Sequence, residues 1–148
     1  SQTMRDAESW LTGNQSRSGV LPAVRAYWDA YLAITRQPVD ATVATTTAGQ
    51  VATGRAAAAL IDAAGSDTTA GLVVRGKIIS HPRVATMSET TASVLDCVDD
   101  RTGAYRADGT RVDADDPRLH QVVMTLSHSA RGWRVATVDQ PEGTCTPD

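Results

Sequence analysis

The feature that most constrains this chain is a change of period near Asp67. Before it, Val20, Val24, Tyr27, Tyr31 and Ile34 are spaced by four, three, four and three residues, which places them on one helical face. After it, β-branched residues become frequent and apolar positions alternate with polar ones, the period of a strand with one buried face. A helical stripe and a sheet face each need a partner to cover them. Helices followed by a run of strands therefore predict an α+β fold, with the helices packed on one face of an antiparallel sheet.

Helix one is expected from Leu21 to about Arg36, with Pro22 in its first turn, where a missing N–H has no intrahelical partner, and Pro38 ending it. Asp40 suits an N-cap, but the threonines between Thr42 and Thr47 are weak helix formers and predict only a short turn. A second amphipathic helix carries Val51, Ala52, Arg55, Ala56, Ala59, Leu60 and Ala63 on one stripe, with Gly65 as its expected stop. Its small alanines should let it pack closely on helix one. Residues 1–19 mix Gly13, Asn14, Ser16, Ser18 and Gly19, a composition that predicts a flexible or short helical segment ahead of a single domain over 20–148. Strands are predicted near Leu72–Ile79, Val84–Ser88, Thr91–Asp99, Ala104–Arg106, Thr110–Val112, Leu119–His128 and Trp133–Val138, with a hairpin turn at Asp108-Gly109.

At 148 residues the chain suffices for one domain, and its 14 basic against 17 acidic residues give a net charge of −3. Without a positive field to hold a phosphate backbone, nucleic acid is not an expected partner. No apolar run approaches the ~18 residues of a membrane span. Ser1 to Trp10 has no apolar core, so it does not read as a leader.

Chemistry is sparse. No G-x-S-x-G elbow and no C-x-x-C pair occurs, and no catalytic residue is assigned. His81, His120 and His128 lack metal-ligand spacing; His120 and His128 share a strand but would lie about 26 Å apart. The runs Asp99-Asp100 and Asp113, Asp115, Asp116 do not fit a calcium loop and read as turn formers and surface charge. Gly71 and Gly76 form no nucleotide motif, and Gly76 is expected to mark a bulge. Neither a metal nor a cofactor is predicted.

Two arrangements carry more interest. Tyr27 and Trp28 are consecutive on helix one and cannot both bury their rings on one narrow face. Trp133 alternates with Val135, and Val122, Met124 and Leu126 form an apolar set on the facing strand. These residues read either as core or as a small apolar ligand pocket bounded by Tyr27, Tyr31, Met124 and Trp133. For proton transfer the candidates are Asp29 and Tyr31 on the helix and Asp96 or Asp99 on the strand. Asp29 lies off the apolar stripe. Asp96 shares a face with Val94 and Val98, consistent with either an interior position or a rim ion pair to Arg101 or Arg134.

The segments AVRAYWDAYLAIT from Ala23, SVLDCVDD from Ser93, YRADGTRV from Tyr105 and GWRVATVDQPEGTCTP from Gly132 resemble, in order and spacing, actinobacterial secreted proteins and lipoproteins of the NTF2-like superfamily. The resemblance implies an NTF2-like cone, a strongly curved antiparallel sheet around N-terminal helices, often with a pocket between them. It also implies export and a disulfide between Cys97 and Cys145, a pairing favoured as well because an exposed tail thiol is a liability in an oxidising compartment; the alternative is a buried free Cys97 and an exposed free Cys145. Such a bond would close a loop of about 50 residues and add about 4 kcal/mol on the chain-entropy account. The superfamily is functionally mixed, so fold alone assigns no activity. The expectation is a non-enzymatic, extracytoplasmic accessory or binding domain, secreted or envelope-associated, whose partner is a small apolar ligand or an envelope protein. The alternatives are a SnoaL-like cyclase or isomerase with a pocket carboxylate, and a VirB8-like assembly component that forms a homo-oligomer through its open sheet face.

Overall fold

In a computed structural model of the chain, the structure describes residues 2–114 and 116–147, with side chains from Gly19 onward. Three helices, α1 (Gln2–Thr35), α2 (Ala41–Val51) and α3 (Gly54–Ala70), precede five strands, β1 (Leu72–Ile79), β2 (Pro82–Met87), β3 (Thr91–Arg106), β4 (Leu119–Ser129) and β5 (Gly132–Asp139). All strand pairings are antiparallel, and the sheet curls strongly around the helices in a half-barrel, an α+β cone.

The predicted stripe of helix one is the core: Val20, Val24, Tyr27 and Ile34 are buried, joined by Ala30 one turn after Tyr27. The helix itself is one element from Gln2, with Pro22 inside it rather than in its first turn. How flexible residues 1–18 are lies outside the described side chains. Asp40 does cap α2, its carboxylate accepting the Val43 N–H at 2.8 Å. The threonine segment, expected to give only a short turn, lies inside the 11-residue α2, which ends at Val51 with Ala52 extended, because Ala44 and Ala48 pack into the core and burial outweighs the modest propensity deficit of threonine.

Gly65 does not stop the helix that contains it. α3 buries Ala56, Leu60 and Ala64 and continues through Gly65 to Ala70. The stop is Gly71, whose φ of 70° and ψ of 29° supply the left-handed conformation that a helix end needs and that a Cβ disfavours. Between α2 and α3 the chain runs extended, and the Thr53 N–H donates to Val135 O at 2.8 Å, so this link covers part of the β5 edge.

The sheet is built on one long hairpin. β3 is a single strand of 16 residues where two short ones were expected, and on one edge it pairs β2 through its first half and β1 through its second. The register is continuous across the gap, since Ile79 faces Asp99 and Pro82 faces Asp96. β1 and β2 are thus one strand broken only at Ser80-His81, just before Pro82, which has no N–H for the ladder. Gly76 marks no bulge. Its pairing with Thr102 is regular, and it is required because a Cβ there would stand 2.2 Å from Arg101 O. The register shifts instead between Val84 and Thr86 and between Thr125 and Leu126. The expected strand Thr110–Val112 is reduced to a single bridge between Tyr105 and Arg111, in the loop closed by the Asp108-Gly109 turn.

Candidate functional site

Curling the sheet around α1 and α3 leaves a cleft of about 770 Å³ between them and the segment that follows β5. Its base is apolar: Tyr27, Trp28 and Tyr31 from α1, Leu60 from α3, and Val98 and Val122 from the sheet. The rim is polar, with Asp100, Thr102, Arg111, Asp113 and His120 among its groups. The segment after β5 supplies one wall through Gln140, Pro141, Glu142 and Gly143.

The aromatic side of the cleft is rigidly packed. The rings of Tyr27 and Trp28 meet edge to face at 5.3 Å between centroids, and those of Trp28 and Tyr31 at 6.3 Å. The Trp28 indole N–H donates at 3.1 Å to the carboxylate of Asp96, which is fully buried and also accepts from the Ser80 hydroxyl and, at 2.7 Å, from the His81 N–H. Of the two positions the sequence allowed for Asp96, the interior one holds. It pairs with neither Arg101 nor Arg134; its three donors come from α1 and from the break between β1 and β2. That break is further held by His81 Nδ1, 2.9 Å from Cys97 O. Asp96 therefore fastens the bend in the long strand to the helix.

Asp99, next on the opposite face, takes Arg101 at 3.0 Å and Arg118 at 2.8 Å. Burial pushes its carboxyl up, but the hydrogen bond and charge of Arg101, with Arg118, outweigh that and hold it below the usual carboxylate range. At the rim, Asp113 accepts from the Ala104 N–H at 2.9 Å and from Arg111 Nε at 3.1 Å, while Arg111 also reaches Thr102 O. Burial raises Asp113, and these two partners bring it below its ordinary value.

The cysteines are bonded: Cys97 of β3 and Cys145 form a disulfide, with Cα atoms 5.8 Å apart. Cys97 sits on the face of β3 opposite Asp96. The segment that walls the cleft therefore crosses the sheet rim, where Gln140 Nε2 meets His120 Nδ1 at 2.8 Å, and ends its crossing bonded to the outer face.

Of the four residues of the expected pocket, Tyr27 and Tyr31 line the cleft, whereas Met124 and Trp133 lie elsewhere. Met124 is wholly buried in the core, and Trp133 packs against Gly19 and the His128 ring near the β4–β5 turn. Asp29 is exposed on the helix. Burial pushes both cleft tyrosines up to about 12, with Asp67, Asp100 and Asp113 adding to the effect at Tyr31. Among the described residues no cluster of His, Cys, Asp or Glu is arranged to hold a metal ion, and no helix is long and apolar enough to cross a membrane. The rim residues Asp100, Arg111 and Glu142 were not anticipated; the one sequence signal for them was the tail cysteine, which tethers the wall.

The fold is similar to that of the intermembrane-space region of the chloroplast protein ARC6, whose crystal structure superposes with a TM-score of 0.53. The match covers 84% of this chain and 95% of that one at 15% identity, a likeness of fold alone. No family model and no curated protein matches the sequence.

Proposed function

We propose that this is a binding domain of the NTF2-like superfamily, acting outside the cytoplasm and holding a small, largely apolar ligand at the mouth of its cone. The observation that carries the reading is the cleft: about 770 Å³, floored by three packed aromatic rings and aliphatic side chains, and bounded by polar groups on one side. The Cys97–Cys145 bond supports an oxidising compartment, secreted or at the envelope, because such bonds do not persist where thiols are kept reduced. The order and spacing of the segments quoted above support the superfamily. A carboxylate-base enzyme is the weaker reading, since Asp29 is exposed and Asp96, which does not line the cleft, is already committed to three donors.

The test is an NMR titration with octanol, read at the Trp28 indole N–H. A saturable shift that disappears in Ala63→Trp, which fills the cleft from α3, is the expected result. No saturable shift in the parent protein, or an unchanged one in Ala63→Trp, overturns the proposal.

A further inference from the structure

Resting on the reading of the cleft as a ligand site, we infer that its ligand carries a cationic group, an amine or quaternary ammonium on an apolar body. Four carboxylates line the cleft, those of Asp100, Asp113, Asp116 and Glu142, against one guanidinium, that of Arg111. Arg111 is spent on Asp113, which it contacts at 3.1 Å. His120 Nδ1 is held 2.8 Å from the Gln140 side-chain amide nitrogen. Asp100 accepts the Thr102 N–H at 2.9 Å and the Thr102 hydroxyl, contacts that fix its position and leave its charge unneutralised.

An independent observation comes from the floor. Tyr27 is only 4% exposed, yet it lines the cleft, packed edge to face on Trp28. The Tyr31 phenol is pushed up chiefly by burial and further by the negative charges of Asp67, Asp100 and Asp113. Electron-rich rings and uncompensated carboxylates around one cavity favour a cation and disfavour an anion. The aliphatic floor receives its apolar body.

Octylamine, octanoate and octanol share one chain and differ in head-group charge at neutral pH. Titrated at low salt and read at the Trp28 indole N–H, octylamine should bind about tenfold more tightly than octanol, roughly 1.4 kcal/mol, and octanoate more weakly than octanol. In the triple variant Asp100→Asn, Asp116→Asn, Glu142→Gln the ratio of octylamine to octanol affinity should fall to about twofold or less, with an unchanged circular-dichroism spectrum to show the fold intact. Added salt should shrink the advantage in the parent protein too, a check that needs no variant. Octanoate binding as well as octylamine, or an advantage that survives salt, overturns the inference while leaving the binding function in place. Failure of octanol itself to saturate overturns both.

Discussion

Trp28 and Asp96, 68 residues apart in sequence, are joined by a 3.1 Å hydrogen bond that ties α1 to the one break in the long strand formed by β1 and β2. The carboxylate is buried and takes two further donors from that break, so the helix, the bend and the cleft floor share one anchor.

Removing that acceptor leaves the Trp28 and His81 N–H groups and the Ser80 hydroxyl without their shared partner. Asp96→Ala should cost about 3–5 kcal/mol, and Asp96→Asn, which keeps one acceptor oxygen, about 1–2 kcal/mol. Urea unfolding followed by tryptophan fluorescence measures both. A loss below about 1 kcal/mol in Asp96→Ala would mean the node does not hold the bend.

Gly76 faces β3 so closely that a Cβ would stand 2.2 Å from Arg101 O and 2.9 Å from Thr102 Cα, and its φ of 114° is itself unfavourable to a side chain. Both neighbours are backbone and cannot rotate away. Gly76→Ala should therefore destabilise by more than about 3 kcal/mol or prevent folding. Gly65→Ala, in a helix interior with open space around it, should instead stabilise by about 0.5–1 kcal/mol. Thermal unfolding of the pair decides it; equal effects would contradict the close approach.

The sequence positions separating these glycines show what could be read beforehand. The stripe from Val20 to Ile34, the Asp40 cap and the start of β1 were legible because each is a local pattern with one physical reading. Gly65 misled because helix termination depends on backbone conformation: the left-handed position fell at Gly71, after Ala64 had secured another turn of packing. The unity of β3 was hidden by Arg101 and Gly103, polar and small residues that interrupt the alternation where the strand leaves the core. Tyr27 and Tyr31 were visible as cleft candidates because one helix carries both. Asp100, Arg111 and Glu142 meet only through tertiary structure, coming from a strand, a loop and the tail.

Joining Cys97 to Cys145 closes a loop of 48 residues, which predicts about 4 kcal/mol of stabilisation on the chain-entropy account. Urea midpoints of the oxidised protein and of Cys97→Ser/Cys145→Ser should differ accordingly, with little change in secondary structure by circular dichroism. The freed wall should also weaken octanol binding. Unaltered affinity in the double variant would show that Gln140 and its neighbours hold their place without the bond.

Asp99 is ionised below the usual carboxylate range in the folded chain because Arg101 and Arg118 flank it. A carboxyl depressed on folding adds stability above its unfolded pKa, near 4, and that contribution is lost as pH falls through the folded value. Stability should thus drop below about pH 4, with Asp113 contributing in the same direction. Asp99→Asn should lower stability at neutral pH and flatten this acid limb. Parallel pH profiles for the two proteins would refute the assignment.

Asp96 and Cys97 are neighbours in the chain but point to opposite faces of β3, the first toward the helices and the second toward the crossing tail. A slip of one residue in the pairing of β3 would exchange them, setting a carboxylate outside and a thiol among the helices. A misregistered chain could not satisfy the indole and could not reach Cys145. Oxidation of this pair is therefore expected to seal only molecules whose strands are aligned, and a misaligned one to declare itself by its free thiols.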